Sequence, residues 1–231
     1  MYGDNSRAAA AGQAPARVAP FPPLSARLSS FSSLAPLVEY SADTMLFQQG
    51  FQVCTVYVIE RGLVKLTALD EDGNGLIIGL RSADAILGGA AAIAHKPHPV
   101  TAVTLTQCQL RCVPLDSFLE LTRSSNEFGW HLHELHSLEI HYLASQLIGL
   151  KYLSARQRLE QLIWQLTGTV EPNGSKRLKL HLPLKHWEMA QLVGITPEHL
   201  SRVLRDMQRE GVLFKDKRAL VIAQPARLHR P

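Results

Sequence analysis

Leu182-Pro183-Leu184-Lys185-His186-Trp187-Glu188-Met189-Ala190-Gln191-Leu192-Val193-Gly194-Ile195-Thr196-Pro197-Glu198-His199-Leu200-Ser201-Arg202-Val203-Leu204-Arg205 is the stretch that decides how this chain folds. It reads as helix, tight turn, helix. Ala190 is small where two helices would cross closely, and Gly194 suits a turn that needs a left-handed backbone. Thr196 is placed to cap the second helix, and Pro197 to begin it, where a missing N–H costs nothing. Met189, Leu192, Val193 and Ile195 face Leu200, Val203 and Leu204 in a small shared core. Glu198, His199, Ser201, Arg202 and Arg205 are left projecting near the start of the second helix. That is the part of such a unit that enters a major groove.

Downstream, Val212-Leu213-Phe214 and Ala219-Leu220-Val221-Ile222 alternate as strands about Lys215-Asp216-Lys217-Arg218, a turn with three cations among its four residues. A basic hairpin beside a reading helix suits phosphate contacts. Upstream, Ser154 caps a helix over Ala155–Thr167 whose Leu159, Leu162, Ile163 and Leu166 fall at helical spacing. The loop Glu171-Pro172-Asn173-Gly174-Ser175 stops that helix, and Leu178-Lys179-Leu180-His181-Leu182 follows as a strand. Residues 154–231 thus form a winged helix-turn-helix. Glu198, Ser201 and Arg202 are the candidate base contacts; Lys185, His199, Arg205, Lys215, Lys217 and Arg218 are the candidate backbone contacts.

Charge supports that division. Residues 1–150 hold 9 Lys and Arg against 13 Asp and Glu, whereas residues 151–231 hold 15 against 7. A basic third on a mildly acidic remainder points to one part meeting a polyanion. No apolar run approaches a membrane span, and the N-terminus lacks the layout of a secretory signal. Three cysteines are too few for a disulfide framework and fit a reducing compartment, so the expected location is the cytoplasm.

Residues 1–24, rich in Ala and Pro, read as a disordered tail. Residues 25–125 form the next domain, where short strand-like runs are separated by turns. Thr55–Ile59, Leu63–Leu69 and Leu76–Leu80 are three, with Asp70–Gly75 as a hairpin turn between the last two. Further strands fall at Val100–Thr106 and Gln109–Pro114, a spacing that favours an antiparallel roll or barrel. A short helix around Asp116–Thr122 leads into a long one over 126–153. Along the latter His136, Ile140, Leu143, Leu147 and Leu150 recur at spacings of 4, 3, 4 and 3, a heptad seam that His133 and Gly129 extend backward. Leu132, Leu135 and Tyr142 form a second strip for covering the roll. One face is for the domain itself, the other for a second copy, so a homodimer is expected.

The ordered chain, roughly 30–225, resembles the Crp–Fnr superfamily of bacterial transcriptional regulators, most specifically over Leu182–Arg202 and then over Val56–Leu66, where Gly62 looks like the turn of a family hairpin. The resemblance implies an α+β fold: an N-terminal cyclic-nucleotide-binding-type antiparallel β-roll, a long dimerisation helix and a C-terminal winged helix-turn-helix. It also implies a sequence-specific DNA-binding regulator, a homodimer on an inverted repeat. Fnr-like members carry Glu-x-x-Ser-Arg in the recognition helix, matched here by Glu198, Ser201 and Arg202, with half-sites like TTGA. A carboxylate accepts from cytosine N4 and a guanidinium donates twice to guanine, while serine can serve either kind of edge. Pro197 stands where the cyclic-AMP-responsive branch has a base-contacting arginine, which favours the Fnr-like site. Double-stranded DNA and RNA polymerase are the expected partners, with the acidic turn Asp70–Asp72 open to the latter.

The family's nucleotide cassette has its counterpart at Ile86–Ala91 and His98–Ala102, but its glutamate and arginine are missing. Gly88, Gly89, His98 and Thr101 remain as the candidate effector pocket, for a small molecule the sequence does not identify. A neutral histidine cannot replace a guanidinium on a buried phosphate, so cyclic-nucleotide binding is not expected. Cys54, Cys108 and Cys112 cannot supply the four thiolates of the iron–sulfur branch, and no metal or cofactor is assigned. Of the ten histidines, His133 and His136 lie on the seam, as register-setting polar residues, as metal or haem ligands shared with a second copy, or as groups that respond to protonation. No nucleophile–base pair marks an enzyme. A ligand-binding signalling module with a vestigial DNA-binding domain is the alternative function.

Overall fold

The computed structural model describes residues 35–167, 178–181, 183–216, 219–223 and 228. The expected tail, the loop Glu171–Ser175 and the cations Lys217 and Arg218 lie outside the described residues.

The first unit is a roll of two antiparallel sheets. Strands β1 (Leu37–Tyr40), β3 (Thr55–Arg61), β6 (Ile86–Leu87) and β8 (Cys108–Pro114) make one, in the order β1-β8-β3-β6. Strands β2 (Met45–Phe47), β4 (Val64–Leu69), β5 (Gly75–Arg81) and β7 (Thr101–Thr104) make the other, in the order β2-β7-β4-β5. Alternation in β3 and β4 turns Ile59, Val64 and Leu66 inward, where they meet Ala85, Leu87, Ala102, Cys108 and Leu110 in a buried core.

Gly62 corrects a sequence expectation. β3 and β4 do not pair with each other; each belongs to a different sheet, so Gly62 is the corner where the chain passes between them and not the turn of a hairpin. Its φ of 106° is open to glycine, and a Cβ there would stand 2.5 Å from Cys108 Sγ and 2.7 Å from Gln107 O. The hairpin at Asp70–Gly75 does form, between β4 and β5. Asp70 organises it by accepting from the backbone N–H groups of Asp72 and Asn74, and only Gly73 of its two glycines takes a positive φ.

Helix α1 (Gly89–Ala94) interrupts the roll after Gly88, and α2 (Leu115–Ser124) closes it. Helix α3 (Asn126–Tyr152) then runs across it, with Ser125 Oγ accepting from the Phe128 N–H as an N-cap. Phe128, Leu132 and Leu135 bury against Val53, Val56, Val58, Val113 and Phe118. Tyr142 lies apart from that cluster, under the Arg81 guanidinium and bonded to Gln165. Arg81 is buried and pairs with Glu139, pinning α3 to the end of β5.

The second unit holds α4 (Ala155–Thr167), β9 (Leu178–His181), α5 (His186–Val193), α6 (Pro197–Arg209), β10 (Leu213–Asp216) and β11 (Ala219–Ile222). Its sheet runs β10-β11-β9, all antiparallel. Ser154 and Gln157 cap α4 reciprocally, hydroxyl to backbone N–H and amide oxygen to backbone N–H. Leu159, Ile163, Met189, Val193, Leu200, Met207, Leu213 and Ile222 form the centre of one apolar cluster. Lys215 belongs to β10 rather than to the turn, because the strand pairing continues to Asp216↔Ala219.

Candidate nucleic-acid interface

Helices α5 and α6 build the interface. Gly194 ends α5 with φ 70°, its N–H bonding to Gln191 O at 2.9 Å and that of Ile195 to Ala190 O at 3.0 Å. Thr196 Oγ1 accepts from the His199 N–H at 3.3 Å, and Pro197 is the first helical residue. These bonds fix α6 across α5, with Ala190 buried at the crossing.

Leu200 and Met207 are the buried side of α6. Glu198, Arg202 and Arg205 are exposed, spaced i, i+4 and i+7, so they form one stripe facing outward. His199 and Ser201 are half-buried beside that stripe. The Glu198 carboxyl is held below its usual range by the backbone N–H at the helix start, then by the Thr196 hydroxyl, with Arg202 and His186 adding favourable charge. It is therefore ionised and an acceptor only, as a contact to cytosine N4 requires.

Ser201 is less free than its place in the sequence suggests. Its hydroxyl donates to Pro197 O at 3.0 Å, and His186 Nε2 lies 3.0 Å from both Ser201 Oγ and Pro197 O. With its proton committed, Ser201 offers a base edge an acceptor. His186, at the start of α5, is a site residue that sequence reasoning passed over, and nothing in the linear pattern marks it. Arg205 Nε donates back to Ser201 O at 3.3 Å, leaving the rest of its guanidinium outward. Lys185 is exposed at the N-terminus of α5, and Lys215 lies in β10.

The seam of α3 is open. Ile140 is 66% and Leu147 67% exposed, and Leu143 and Leu150 are also uncovered, as are Ile148 and Tyr152. His136 is half-buried, and burial pushes its pKa down. His133 is exposed beside the Trp130 ring.

In the roll, the candidate effector residues are only partly brought together. Gly88 takes φ 83° against His98, whose Cε1 would lie 3.0 Å from a Cβ there. His98 is 3% exposed and stacks on Phe47 at 3.8 Å, so its ring fills the corner. Gly89 is buried against Ile86 and Phe118, and Thr101 Oγ1 is taken by the Gln49 N–H at 3.1 Å. Cys108 is buried, Cys112 bonds to the Tyr40 hydroxyl and Cys54 is exposed. Among the described residues no group of three or more His, Cys, Asp or Glu side chains could hold a metal ion. No helix among them is long and apolar enough to cross a membrane.

Comparison with known proteins matches both units. Residues 37–125 match the cyclic nucleotide-binding domain family, and residues 157–230 the Crp-like helix-turn-helix domain family. The chain is 24% identical over 184 residues to the anaerobic regulatory protein of Aggregatibacter actinomycetemcomitans, covering 80% of this chain and 71% of that one. It is 25% identical over 168 residues to the fumarate and nitrate reduction regulatory protein of Yersinia pestis, covering 73% and 67%. Its fold is similar to that of FixK2 from Bradyrhizobium japonicum, with a TM-score of 0.72 at 20% identity over 84% of this chain and 96% of that one.

Proposed function

Because the chain belongs to the Crp–Fnr superfamily and carries its helix-turn-helix DNA-binding domain, we propose that it regulates transcription as a homodimer bound to an inverted repeat with TTGA-type half-sites. The observation that carries this reading is the outward stripe of Glu198, Arg202 and Arg205 on a helix whose start is capped and buried only on its far side. Glu198 accepts from cytosine N4 and Arg202 donates twice to guanine O6 and N7, with Ser201 as a neighbouring acceptor. Lys185, His199, Arg205, Lys215, Lys217 and Arg218 contact phosphates. The open seam of Ile140, Leu143, Leu147 and Leu150 joins two copies, continued by His136. Two-fold symmetry then sets the half-sites about one helical turn apart.

RNA polymerase is the second partner, met through the exposed turn Asp70–Asp72. A small-molecule input near Gly88, Gly89, His98 and Thr101 would have to displace the His98 ring from Phe47, since that ring fills the corner. The segment 88–102 holds no arginine, so a cyclic phosphate is not the ligand proposed.

Mobility shift on a TTGA palindrome tests the reading. Arg202→Ala should cost about 1–3 kcal/mol and relax discrimination at the guanine position alone. Equal binding of wild type and Arg202→Ala to every palindrome would overturn the assignment. Failure of the wild-type protein to bind any duplex in a salt-dependent way would favour a signalling module whose DNA-binding domain is vestigial.

A further inference from the structure

Two polar side chains of α5 leave their own unit and bond to the roll. Gln191 Oε1 accepts from the Ile77 N–H at 3.2 Å, and Gln191 Nε2 donates to Gly75 O at 3.1 Å. Among the described residues β5 is an edge strand, so its outer side presents backbone groups that no described strand pairs. The C=O of one residue and the N–H two residues on face the same way, the pair that an added strand would take. One primary amide, with an acceptor and a donor side by side, stands in for that strand over a single step.

Glu188 makes the second attachment. It is 3% exposed; one oxygen pairs with Lys65 on β4 and the other accepts from the Lys185 N–H at 2.7 Å. Lys65 also lies 5.9 Å from the centre of the Trp187 ring. A carboxylate so deeply buried is costly to leave unpaired, so the pair fixes where α5 sits more than it adds to stability. The far end of α5 is tied through Arg158 of α4 to the junction after α3 and packs beside Leu150. Arg158 donates to Val193 O at 2.7 Å and to Leu153 O at 2.6 Å, and a Cβ on Gly194 would meet Leu150 Cδ2 at 3.1 Å.

We propose that the open edge of β5 is the seat that aims the recognition helix, with Gln191 and Glu188 as its positioning residues. Helix α6 is packed on α5, and α3 carries the seam proposed for the second copy. The separation of the two recognition helices in a dimer therefore depends on α5 staying seated. The seat itself is read from this chain alone; its consequence for DNA rests on the dimer and operator proposed above. An unseated head keeps all its charges, so it still binds phosphates, but it no longer holds both helices to one spacing.

Hydrogen exchange on the full-length protein tests the seat, and duplex binding tests the aim. Gln191→Ala changes a half-exposed position. Glu188→Gln keeps an acceptor for the Lys185 N–H but sets an amide NH2 against Lys65 in place of the buried ion pair, so the melting temperature of each variant is measured alongside. The Ile77 amide should be protected in the wild type and lose that protection in Gln191→Ala. Duplexes with identical half-sites, one set a helical turn apart and the other lengthened by a few base pairs, then read the aim. The Gln191→Ala, Glu188→Gln double variant should lose about tenfold of the wild-type preference for one spacing, with an unchanged salt slope. An Ile77 amide that exchanges equally fast in wild type and variant overturns the seat. An unaltered spacing preference overturns the positioning role. If the wild type binds no palindrome, the operator reading falls, and the exchange result still judges the seat.

Discussion

His98 is the residue where chemistry and position pull hardest against each other. Its ring is stacked on Phe47 and its Nδ1 is buried without a hydrogen-bond partner among the described residues. Burial disfavours the imidazolium, so the folded protein holds its pKa below the unfolded value. The folded state then binds fewer protons than the unfolded chain once pH drops below about 6.5, the ordinary histidine value. Stability from this site is complete above that pH and is lost as pH falls through the folded pKa. Melting temperature should therefore decline from pH 7 to pH 5.5, and His98→Leu should flatten the decline. His136, also lowered chiefly by burial, carries a second share that His98→Leu leaves in place. An identical pH profile in wild type and His98→Leu would show that the corner does not resist protonation.

At the scale of the element, α3 shows what periodicity can and cannot tell. Its bounds, Asn126–Tyr152, follow from the Ser125 cap and from an apolar pattern that stays helical throughout. Its two faces were also legible, because Leu132 and Leu135 lie on a different stripe from Ile140 and Leu147. The helices of the reading unit were legible for the same reason: Gly194, Thr196 and Pro197 act within their own turn of chain. Pairing between strands was not. Gly62 has a strand on each side whether the chain turns back or crosses to another sheet, and only long-range pairing distinguishes the two. Leu147→Asp belongs to this scale. At 67% exposure it removes nothing from the core of one chain, so the melting curve of a dilute sample should barely move. Sedimentation equilibrium should instead report the mass of one chain, and affinity for the palindrome should fall toward that of a single half-site. A dimeric Leu147→Asp protein would place the contact between copies elsewhere.

For the molecule as a whole, the seating of the reading unit on the roll was beyond the sequence, since Gln191 and Ile77 stand 114 positions apart and nothing in the helix-turn-helix pattern around Gln191 marks a partner in the roll. The charge division was legible, and it makes the last prediction. Residues 151–231 hold 15 Lys and Arg against 7 Asp and Glu, while the rest of the chain is acidic. Over the whole protein they sum to only +4, but DNA does not sense the sum. At physiological salt the Debye length is about 8 Å, so only cations beside the phosphates release counterions. Glu127, in the first turn of α3, lies 25 residues before the end of that helix, about 38 Å away at 1.5 Å per residue. Glu127→Gln should leave the plot of log affinity against log salt unchanged, although it alters net charge as much as a lysine lost from the wing. Lys217→Ala should make that plot shallower by about 0.9 and weaken every sequence alike. Arg202→Ala should change which sequences are bound. If Lys217→Ala and Glu127→Gln moved the slope equally, binding would follow net charge, and the wing would have no contact of its own with the phosphate backbone.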